Sequence, residues 1–406
     1  MHFLQSPCLR IPNHCTWDRL PTPTAHLGLS LLAIKMASSI PSKHPAVVIV
    51  APGAPLEIHE VDTVFPSTDE ALVHVEWFGS TPLNLHQADG GLLIKPPHIM
   101  SGCFVGTVAQ LGDLKDPSLS ESSKTLKVGD KVFGFTFQQE KHKPMQTYLT
   151  VPVTFLGKVP ANTSAQEAVT VPSNFCTAIH TIIKDLGLEL PWPVPENWAS
   201  PEADKPILVW GAAGSVGQYT LQVLKHWGYR NVLAVASAKH HESLKALGAT
   251  AVFDYNKEDV VKSISSGPYI PYIIDCIGSL EGTVTPLSKI AEKGSKVAIM
   301  LPVIVSHASN SDAPTYEMDV GNVLVGQWKE GVELRGVRTH FYQDNEFFKY
   351  HLQPDIMPAL LQDGTIRPNK QRLVEGETLL KRAEQALSLF RDGAVSGEKV
   401  VWRVAE

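Results

Sequence analysis

The sequence has few cysteines and no long hydrophobic run. Its 406 residues include five cysteines, at positions 8, 15, 103, 176 and 276, and none of them forms a CxxC pair. An odd and scattered set argues against a disulfide framework and indicates a reducing compartment, so we expect a cytoplasmic protein. No apolar run approaches the roughly 20 residues that cross a bilayer, and we therefore expect no membrane span.

Positive charge is also scarce. The chain has 35 Lys and Arg against 41 Asp and Glu, a net charge of -6, and no basic arm. Nucleic acid is therefore not an expected partner. With 43% hydrophobic and 19% charged residues, a chain of this length predicts an ordinary globular protein of about two domains.

Residues 1–44 lack a sustained hydrophobic period, and we predict a disordered N-terminal extension there. The apolar patch LGLSLLAI, 27–34, lies too deep in the chain to suit a signal peptide. A mitochondrial presequence stays open as an alternative, although its arginines would be only Arg10 and Arg19. Because Met36 offers a second start, it also stays open whether the residues before it are translated or act as a targeting segment.

Two further patterns divide the rest of the chain. Over 45–175, short β-branched or aromatic runs separated by Pro, Gly and Asp predict antiparallel strands of a compact β-rich domain; they are AVVIV, LEIHEV, ALVHVEWFG, SGCFVGTVAQLG and DKVFGFTF. Over 176–345, helix and strand alternate, which predicts a doubly wound parallel α/β sheet with crossover helices. The proline-rich stretch 191–206 predicts a long loop before the first of these strands.

The final segment, 346–406, contains two helical patterns and a closing strand. NEFFKYHLQPDIMPALLQDG and LLKRAEQALSLFRDG are the helical patterns, and GVELRGVRTHFY and EKVVWRV resemble strands on either side of them. We predict that the closing SGEKVVWRV returns to one of the earlier sheets.

A glycine-rich turn joins the first strand and helix of the alternating region. In PILVWGAAGSVG, a buried strand ends at Gly211, and Gly214 and Gly217 follow at steps of three, with Ser215 and Val216 opening the helix. In a dinucleotide fold such glycines permit the tight turn, the approach of the pyrophosphate and the packing of helix on strand. The spacing GxxGxxG is weak alone, but its placement between strand and helix predicts a dinucleotide site.

The end of the next strand predicts which dinucleotide binds. NVLAVASAKHH has no carboxylate for a ribose 2′-hydroxyl and instead places Ser237, Ala238, Lys239 and His240 there. A hydroxyl, an ammonium and imidazoles favour an anion, so we predict NADP(H) rather than NAD. The alternative is an exposed helix start capped by Ser237.

Several motifs, taken in order, resemble those of the medium-chain dehydrogenase/reductase superfamily. After the β-rich domain come GAAGSVGQ, LKALGATAVFDY, YIIDCIGS, GSKVAIMLP and a terminal EKVVWRV. The resemblance runs from about residue 46 to the end and is strongest to the zinc-independent, quinone-oxidoreductase-like branch, especially fungal trans-acting enoyl reductases and dehydrogenases of secondary-metabolite clusters. It implies a Rossmann domain and an N-terminal GroES-like barrel domain.

The resemblance also implies further site residues. Beyond the glycine loop and the segment Ser237–His240, the implied cofactor contacts are Asn84, Tyr255, Gly278, Leu301, Pro302, Val395 and Ser396. The implied meeting place of substrate and nicotinamide is VPSNFCTAI, 171–179. Each also has a plainer interpretation: Tyr255 follows a strand, Leu301 could be a core residue, and Gly278 could only shape a turn with Asp275.

One departure from the resemblance concerns zinc. FGSTPLNLHQADG holds no cysteine, MSGCFVG replaces the His-Glu motif of zinc-dependent members, and residues 110–128 contain no cysteine. Because Cys103 alone cannot form a tetrahedral site, we predict no metal. We predict Cys176, in the apolar NFCTAIH, to be a buried structural thiol.

The implied chemistry is reduction of an activated C=C or carbonyl group. A small-molecule or carrier-bound acyl substrate suits this mechanism. Backbone N–H groups, Asn174 or Thr177 would stabilise charge on its oxygen, and His86 or solvent would give a proton. For His86 a solvated loop histidine is the favoured alternative. A polyketide synthase is a candidate partner. A general quinone or aldehyde reductase and a weakly catalytic NADPH-binding sensor or scaffold stay open, as do the substrate, the reaction direction and the choice between monomer and homodimer.

Overall fold

The computed structural model describes residues 40–307 and 313–405. The predicted disordered extension, 1–44, lies outside the described residues as far as position 39. The last two residues of the predicted extension, Lys43 and His44, form regular structure instead. They begin the first strand, two residues before the predicted domain start at 45. The reason is His44, whose buried ring contacts Thr63 Oγ1 at 2.7 Å and Gln146 Oε1 at 3.0 Å.

The strands, in chain order, are β1 (Lys43–Ile49), β2 (Leu56–Asp62), β3 (Glu70–Gly79), β4 (His98–Ile99), β5 (Gly102–Leu111), β6 (Lys131–Thr136), β7 (Tyr148–Pro152), β8 (Gly157–Lys158), β9 (Ile207–Trp210), β10 (Val232–Val235), β11 (Ala251–Phe253), β12 (Tyr272–Asp275), β13 (Lys296–Met300), β14 (Val303–Ser306), β15 (Thr315–Glu317), β16 (Glu333–Val337), β17 (Lys370–Leu373) and β18 (Glu398–Arg403). The α-helices are α1 (Pro82–Gly90), α2 (Glu121–Lys124), α3 (Ala165–Ala168), α4 (Pro172–His180), α5 (Ser215–His226), α6 (His241–Leu247), α7 (Val260–Ser265), α8 (Thr285–Ile290), α9 (Glu346–His351), α10 (Met357–Gln362) and α11 (Leu379–Arg391).

Shorter helical segments of 3₁₀ or π type extend these helices or link the strands. They are Glu140–His142, Val153–Phe155, Thr181–Asp185, Ala238–His240, Leu280–Val284, Val320–Asn322, Thr339–Asp344 and Leu352–Ile356.

The first domain is built from two sheets, as expected for a GroES-like barrel. One has the order β17-β18-β3-β5-β6-β8, with β7 paired to β3, and the other has the order β2-β1-β4. β1 pairs with β2, β3 with β5, and β5 with β6, all antiparallel, which confirms the strands predicted from the β-branched and aromatic runs. Their buried side chains form one hydrophobic cluster that includes Phe78, Phe104 and Trp402.

The second domain is a Rossmann-like sheet of parallel strands. Its order is β11-β10-β9-β12-β13-β16, and every pairing along it is parallel. The chain moves outward from β9 to β11 and then returns to the other side of β9 at β12. A topological switch point therefore lies between β9 and β12, where ligands bind in open α/β sheets.

The closing strand returns to the first domain, as predicted. β18 pairs antiparallel with β3, with Val401 opposite Gly79, and parallel with β17. One part of the prediction for GVELRGVRTHFY was wrong, since only Glu333–Val337 is a strand and Thr339–Asp344 is a 3₁₀-helix. The helical turn packs the His340 ring against Phe137, with ring centroids 4.5 Å apart.

Candidate functional site

The glycine loop lies at the carboxyl end of β9, and two of its glycines are required by close packing. Gly211 has φ +77, and a Cβ there would lie 2.5 Å from the Ile277 side chain. A Cβ on Gly217 would lie 2.5 Å from the Cα of Ala212 and 2.7 Å from its carbonyl oxygen. The first glycine therefore makes the tight turn, and the third allows α5 to approach the strand.

Gly214 differs from its neighbours because protein atoms leave one side of it open. Its φ is −66, and a Cβ would meet only the carbonyl oxygen of Gly211, at 3.2 Å. Gly214 is also the N-cap of α5, and no side chain caps this 12-residue helix. The free N–H groups of its first turn, at Ser215 and Val216, favour a phosphate group. The loop therefore fits the diphosphate of a dinucleotide.

The predicted anion patch follows the next strand. Ser237 is the N-cap of the 3₁₀-helix Ala238–His240, and Lys239 is exposed. His240 Nε2 lies 3.0 Å from Ser396 Oγ, so the structure brings the predicted late contact beside the patch. Burial lowers the pKa of His240, as do the neighbouring Lys239 and His241. His240 is therefore neutral at neutral pH, and Lys239 supplies the charge of the patch.

The other implied cofactor contacts have different environments. Tyr255, two residues beyond β11, is 49% exposed and is therefore not a core residue. Gly278 has φ +71, and a Cβ there would lie 2.3 Å from the Met300 carbonyl oxygen, so its environment favours the plainer turn interpretation. Leu301, partly buried, packs against a core cluster of the second domain, whereas Val395 packs against the first-domain cluster. Pro302 is buried.

Asn174 lies near the start of α4, and its side-chain amide oxygen, Oδ1, accepts two hydrogen bonds. One comes from the Ser173 hydroxyl at 3.0 Å, and the other comes from the ammonium group of Lys399. Lys399 also donates to Ser173 Oγ at 3.4 Å, and Cys103 Sγ donates to the same oxygen at 3.0 Å. Lys399 is only 3% exposed and pairs with no carboxylate among the described residues.

The hydroxyl group of Thr177, one turn further along α4, is already hydrogen-bonded within the protein. Its Oγ1 donates to the carbonyl oxygen of Ser173 at 2.8 Å and lies 2.9 Å from Thr339 Oγ1. A hydroxyl has a single hydrogen to give, so Thr177 serves a substrate oxygen less readily than the Asn174 amide does.

His86 is not the solvated loop histidine that we favoured as its alternative. It lies within α1, and its Nδ1 is 2.9 Å from the hydroxyl of Tyr316 on β15. Burial lowers the pKa of His86 to about 4, and the charge of His307 acts in the same direction. The ring is therefore neutral at neutral pH.

Asn84 shapes the start of α1. Its Oδ1 accepts from the Thr81 backbone N–H at 3.1 Å and from Ser80 Oγ at 2.9 Å, and its Nδ2 donates to the Ser101 carbonyl at 2.9 Å. The buried side chain is engaged in these contacts within the first domain, and its implied contact with the cofactor stays a prediction.

The side chains at the positions of the zinc motifs do not fit a metal ion. Cys103 contacts Ser173, whereas His86 contacts Tyr316. Within residues 40–307 and 313–405, no group of three His, Cys, Asp or Glu side chains could hold a metal ion. Cys176 is fully buried, and burial raises the pKa of its thiol, as expected for a structural cysteine.

Sequence reasoning missed Lys399, Tyr316 and Thr339. Their partners Asn174, His86 and Thr177 are 225, 230 and 162 positions away, so no local spacing links them. A lysine inside the apolar run EKVVWRV was the one available signal. In the described part of the chain, no helix combines the length and the apolar character needed to cross a membrane.

Comparisons with known proteins agree with this architecture. Residues 67–181 match the family described as the alcohol dehydrogenase GroES-like domain, and residues 215–311 match the one described as zinc-binding dehydrogenase. The trans-enoyl reductase tazE of Aspergillus terreus is 31% identical over 230 residues, which cover 55% of this chain and 72% of that protein. The enoyl reductase component lovC of the lovastatin nonaketide synthase, also from Aspergillus terreus, is 26% identical over 83% of this chain and 89% of its own.

A solved structure with the same fold is the quinone oxidoreductase from Coxiella burnetii. Its TM-score is 0.66 at 19% identity, over 89% of this chain and 100% of that one. At this identity the likeness concerns the fold.

Proposed function

The chain belongs to the medium-chain dehydrogenase/reductase superfamily, and from that premise we propose that it is a zinc-independent, NADPH-dependent reductase of conjugated carbonyl substrates. Similar chains are enoyl reductases, one of them a component of a nonaketide synthase. The proposed substrate is therefore an enoyl group, free or carried on a polyketide synthase, in fungal secondary metabolism. A cytoplasmic location is part of the same proposal.

The observation that carries the cofactor assignment is the patch formed by Ser237, Lys239 and His240 together with Ser396. Lys239 has no carboxylate partner in the described chain, and Ser237 stands where an acidic residue would bind a ribose hydroxyl. An ammonium and two hydroxyl groups complement a 2′-phosphate. Gly214 and the uncapped start of α5 would hold the diphosphate.

Bound NADPH supplies the hydride. The task left to the protein is to stabilise the negative charge that grows on the conjugated oxygen of the substrate. Asn174 is the proposed donor, because its oxygen already accepts two hydrogen bonds and its NH₂ group is therefore turned away from them. His86, with a pKa of about 4, holds no imidazolium proton at neutral pH, so we assign the proton to solvent.

The cofactor assignment is tested by replacing two side chains together, Ser237→Ala with Lys239→Ala. We expect the affinity for NADPH to fall at least about tenfold, the loss of one charge-assisted hydrogen bond, while the affinity for NADH changes little. Lys262→Ala with Ser263→Ala on α7 is the matched control, since it removes an exposed lysine and serine outside the patch. An unchanged NADPH preference would refute the phosphate site.

Turnover is tested with the full chain, NADPH and crotonyl-CoA, a soluble enoyl thioester, by following the loss of NADPH absorbance. Consumption of NADPH with formation of butyryl-CoA supports the proposal. Turnover with quinones or aldehydes but not with the thioester favours a general reductase. NADPH binding with no turnover on any of these acceptors favours a sensor or scaffold.

A further inference from the structure

Lys399 is a buried amine that the proposed chemistry does not yet use. It lies on β18, 3% exposed, and no carboxylate of the described residues neutralises it. Its ammonium donates to Asn174 Oδ1 and to Ser173 Oγ. Burial lowers the pKa of Lys399, although the nearby Cys103 sulfur acts in the opposite direction. Burying a cation without a counter-ion lowers the stability of the fold, which indicates that Lys399 has a role other than stabilisation.

The hydrogen bonds around Lys399 fix which way the Asn174 amide faces. The Ser173 hydroxyl donates to Asn174 Oδ1 and accepts from Lys399 and from Cys103, which uses its one hydrogen and both lone pairs. Asn174 Oδ1 therefore faces two donors. Flipping the amide would place its NH₂ group against an ammonium and a hydroxyl hydrogen, so the flipped orientation is strongly disfavoured.

The opposite end of the same amide is free. Among the described residues, Asn174 Nδ2 donates to no acceptor. It is also not one of the fully buried polar atoms that have no partner, so the atom is not completely enclosed by protein. Asn174 as a whole is 9% exposed, so the NH₂ group is partly accessible. An amide held by two donors on one side presents two hydrogens on the other.

We propose that Lys399 is a positioning residue, which orients the Asn174 amide so that its NH₂ group donates to the substrate oxygen as negative charge develops there. This inference rests on the proposed function. The ammonium also polarises the amide through its carbonyl oxygen, which makes the NH₂ group a stronger donor. In this role Lys399 orients Asn174 and does not itself contact the substrate, so Lys399 is not a catalytic residue.

The test is a double-mutant cycle on the full chain with NADPH and crotonyl-CoA. Asn174→Ala should lower kcat about 100-fold, as loss of one oxyanion donor does. Lys399→Met keeps the length of the side chain but cannot donate, and it should lower kcat at least about tenfold with NADPH affinity within about twofold. In the Asn174→Ala background, Lys399→Met should change kcat by less than about twofold, because its effect passes through the amide.

Two further variants separate positioning from support of the fold. Lys143→Met removes another buried lysine, which contacts His98 and Glu140, and should lower the Tm while leaving kcat within about twofold. Asn174→Asp keeps the acceptor for Lys399 and places a carboxylate beside the ammonium, so the Tm should hold or rise while kcat falls as in Asn174→Ala. This variant keeps the test available even where Lys399→Met does not fold.

The outcomes are distinct. Equal loss from Lys399→Met in both backgrounds, or full turnover by Lys399→Met, overturns the positioning role while leaving the proposed function intact. Full turnover by Asn174→Asp overturns both the positioning role and the assignment of Asn174 as the donor, while leaving the proposed reductase activity intact. Absence of turnover by the unmodified protein instead contradicts the proposed function. A cycle in which the two losses fail to add supports the inference.

Discussion

Replacing Gly214 by alanine should separate cofactor binding from folding. A Cβ at Gly214 meets only the Gly211 carbonyl oxygen, at 3.2 Å, and the backbone φ of −66 is one that alanine adopts freely. Alanine is a poorer N-cap than glycine, and together with the tight contact we expect a loss of at most about 1 kcal/mol of unfolding free energy. The fold should therefore survive.

Cofactor binding should suffer far more. The added methyl group occupies the open side of the loop, so the diphosphate must move away from the N–H groups at the start of α5. Losing one hydrogen bond to a charged group costs about 1.5–3 kcal/mol, which corresponds to a fall in affinity of about 10- to 150-fold. Because NADPH and NADH share the diphosphate, both affinities should fall together, as measured by quenching of tryptophan fluorescence or by calorimetry.

Two other glycines serve as controls. Gly267, after α7, has a matched contact, since a Cβ there would lie 3.2 Å from the Ile264 carbonyl oxygen. Gly267→Ala should leave binding unchanged. Gly217→Ala, whose Cβ would meet backbone atoms at 2.5–2.7 Å, should lose at least about 2 kcal/mol of stability in urea denaturation. A folded Gly214→Ala protein that binds NADPH as tightly as the unmodified chain would refute the assignment of this loop.

Two predictions concern stability. Gly278→Ala should cost on the order of 3 kcal/mol in urea denaturation, because φ is +71 and the Cβ would lie 2.3 Å from the Met300 carbonyl oxygen; unchanged stability would contradict the observed turn. His142 is 2% exposed, and burial lowers its pKa to about 4, so its neutral form stabilises the fold above pH 6.5 and this contribution is lost as the pH falls towards 4. The free energy of unfolding should fall as the pH is lowered over this interval. In His142→Gln its slope against pH should be smaller, by the equivalent of about one proton taken up on unfolding.

The sequence predicted the parts of the protein whose signals are local. Alternating apolar runs predicted β3, β5 and β6, and glycines spaced by three between a strand and a helix predicted the turn at Gly211. The place of the closing strand was also predictable, since its apolar run had to be buried against a sheet. The 3₁₀-helix at Thr339–Asp344 was not, because its sequence has a strand-like composition and tertiary packing determined its form.

Side-chain contacts between distant segments were the part that the sequence could not provide. Whether the Lys399 side chain is buried or exposed depends on which face of β18 meets α4. A one-residue shift in the register of β18 would turn Lys399 to the opposite face of the sheet. Likewise, the role of His86 depends on a partner from a hairpin more than two hundred positions away. The boundaries 45–175, 176–345 and 346–406 and the roles of the site residues stay predictions.

The position of β18 has a consequence for synthesis. This strand is translated long after β3, yet it pairs with β3 in the sheet of the first domain, and Ser396, just before β18, contacts His240. A ribosome-bound chain in which β18 has not yet emerged would leave the Trp77–Gly79 edge of β3 exposed, and an exposed edge strand invites association between chains. Nonsense mutations between the codons of β17 and β18 should therefore abolish the protein as fully as early ones.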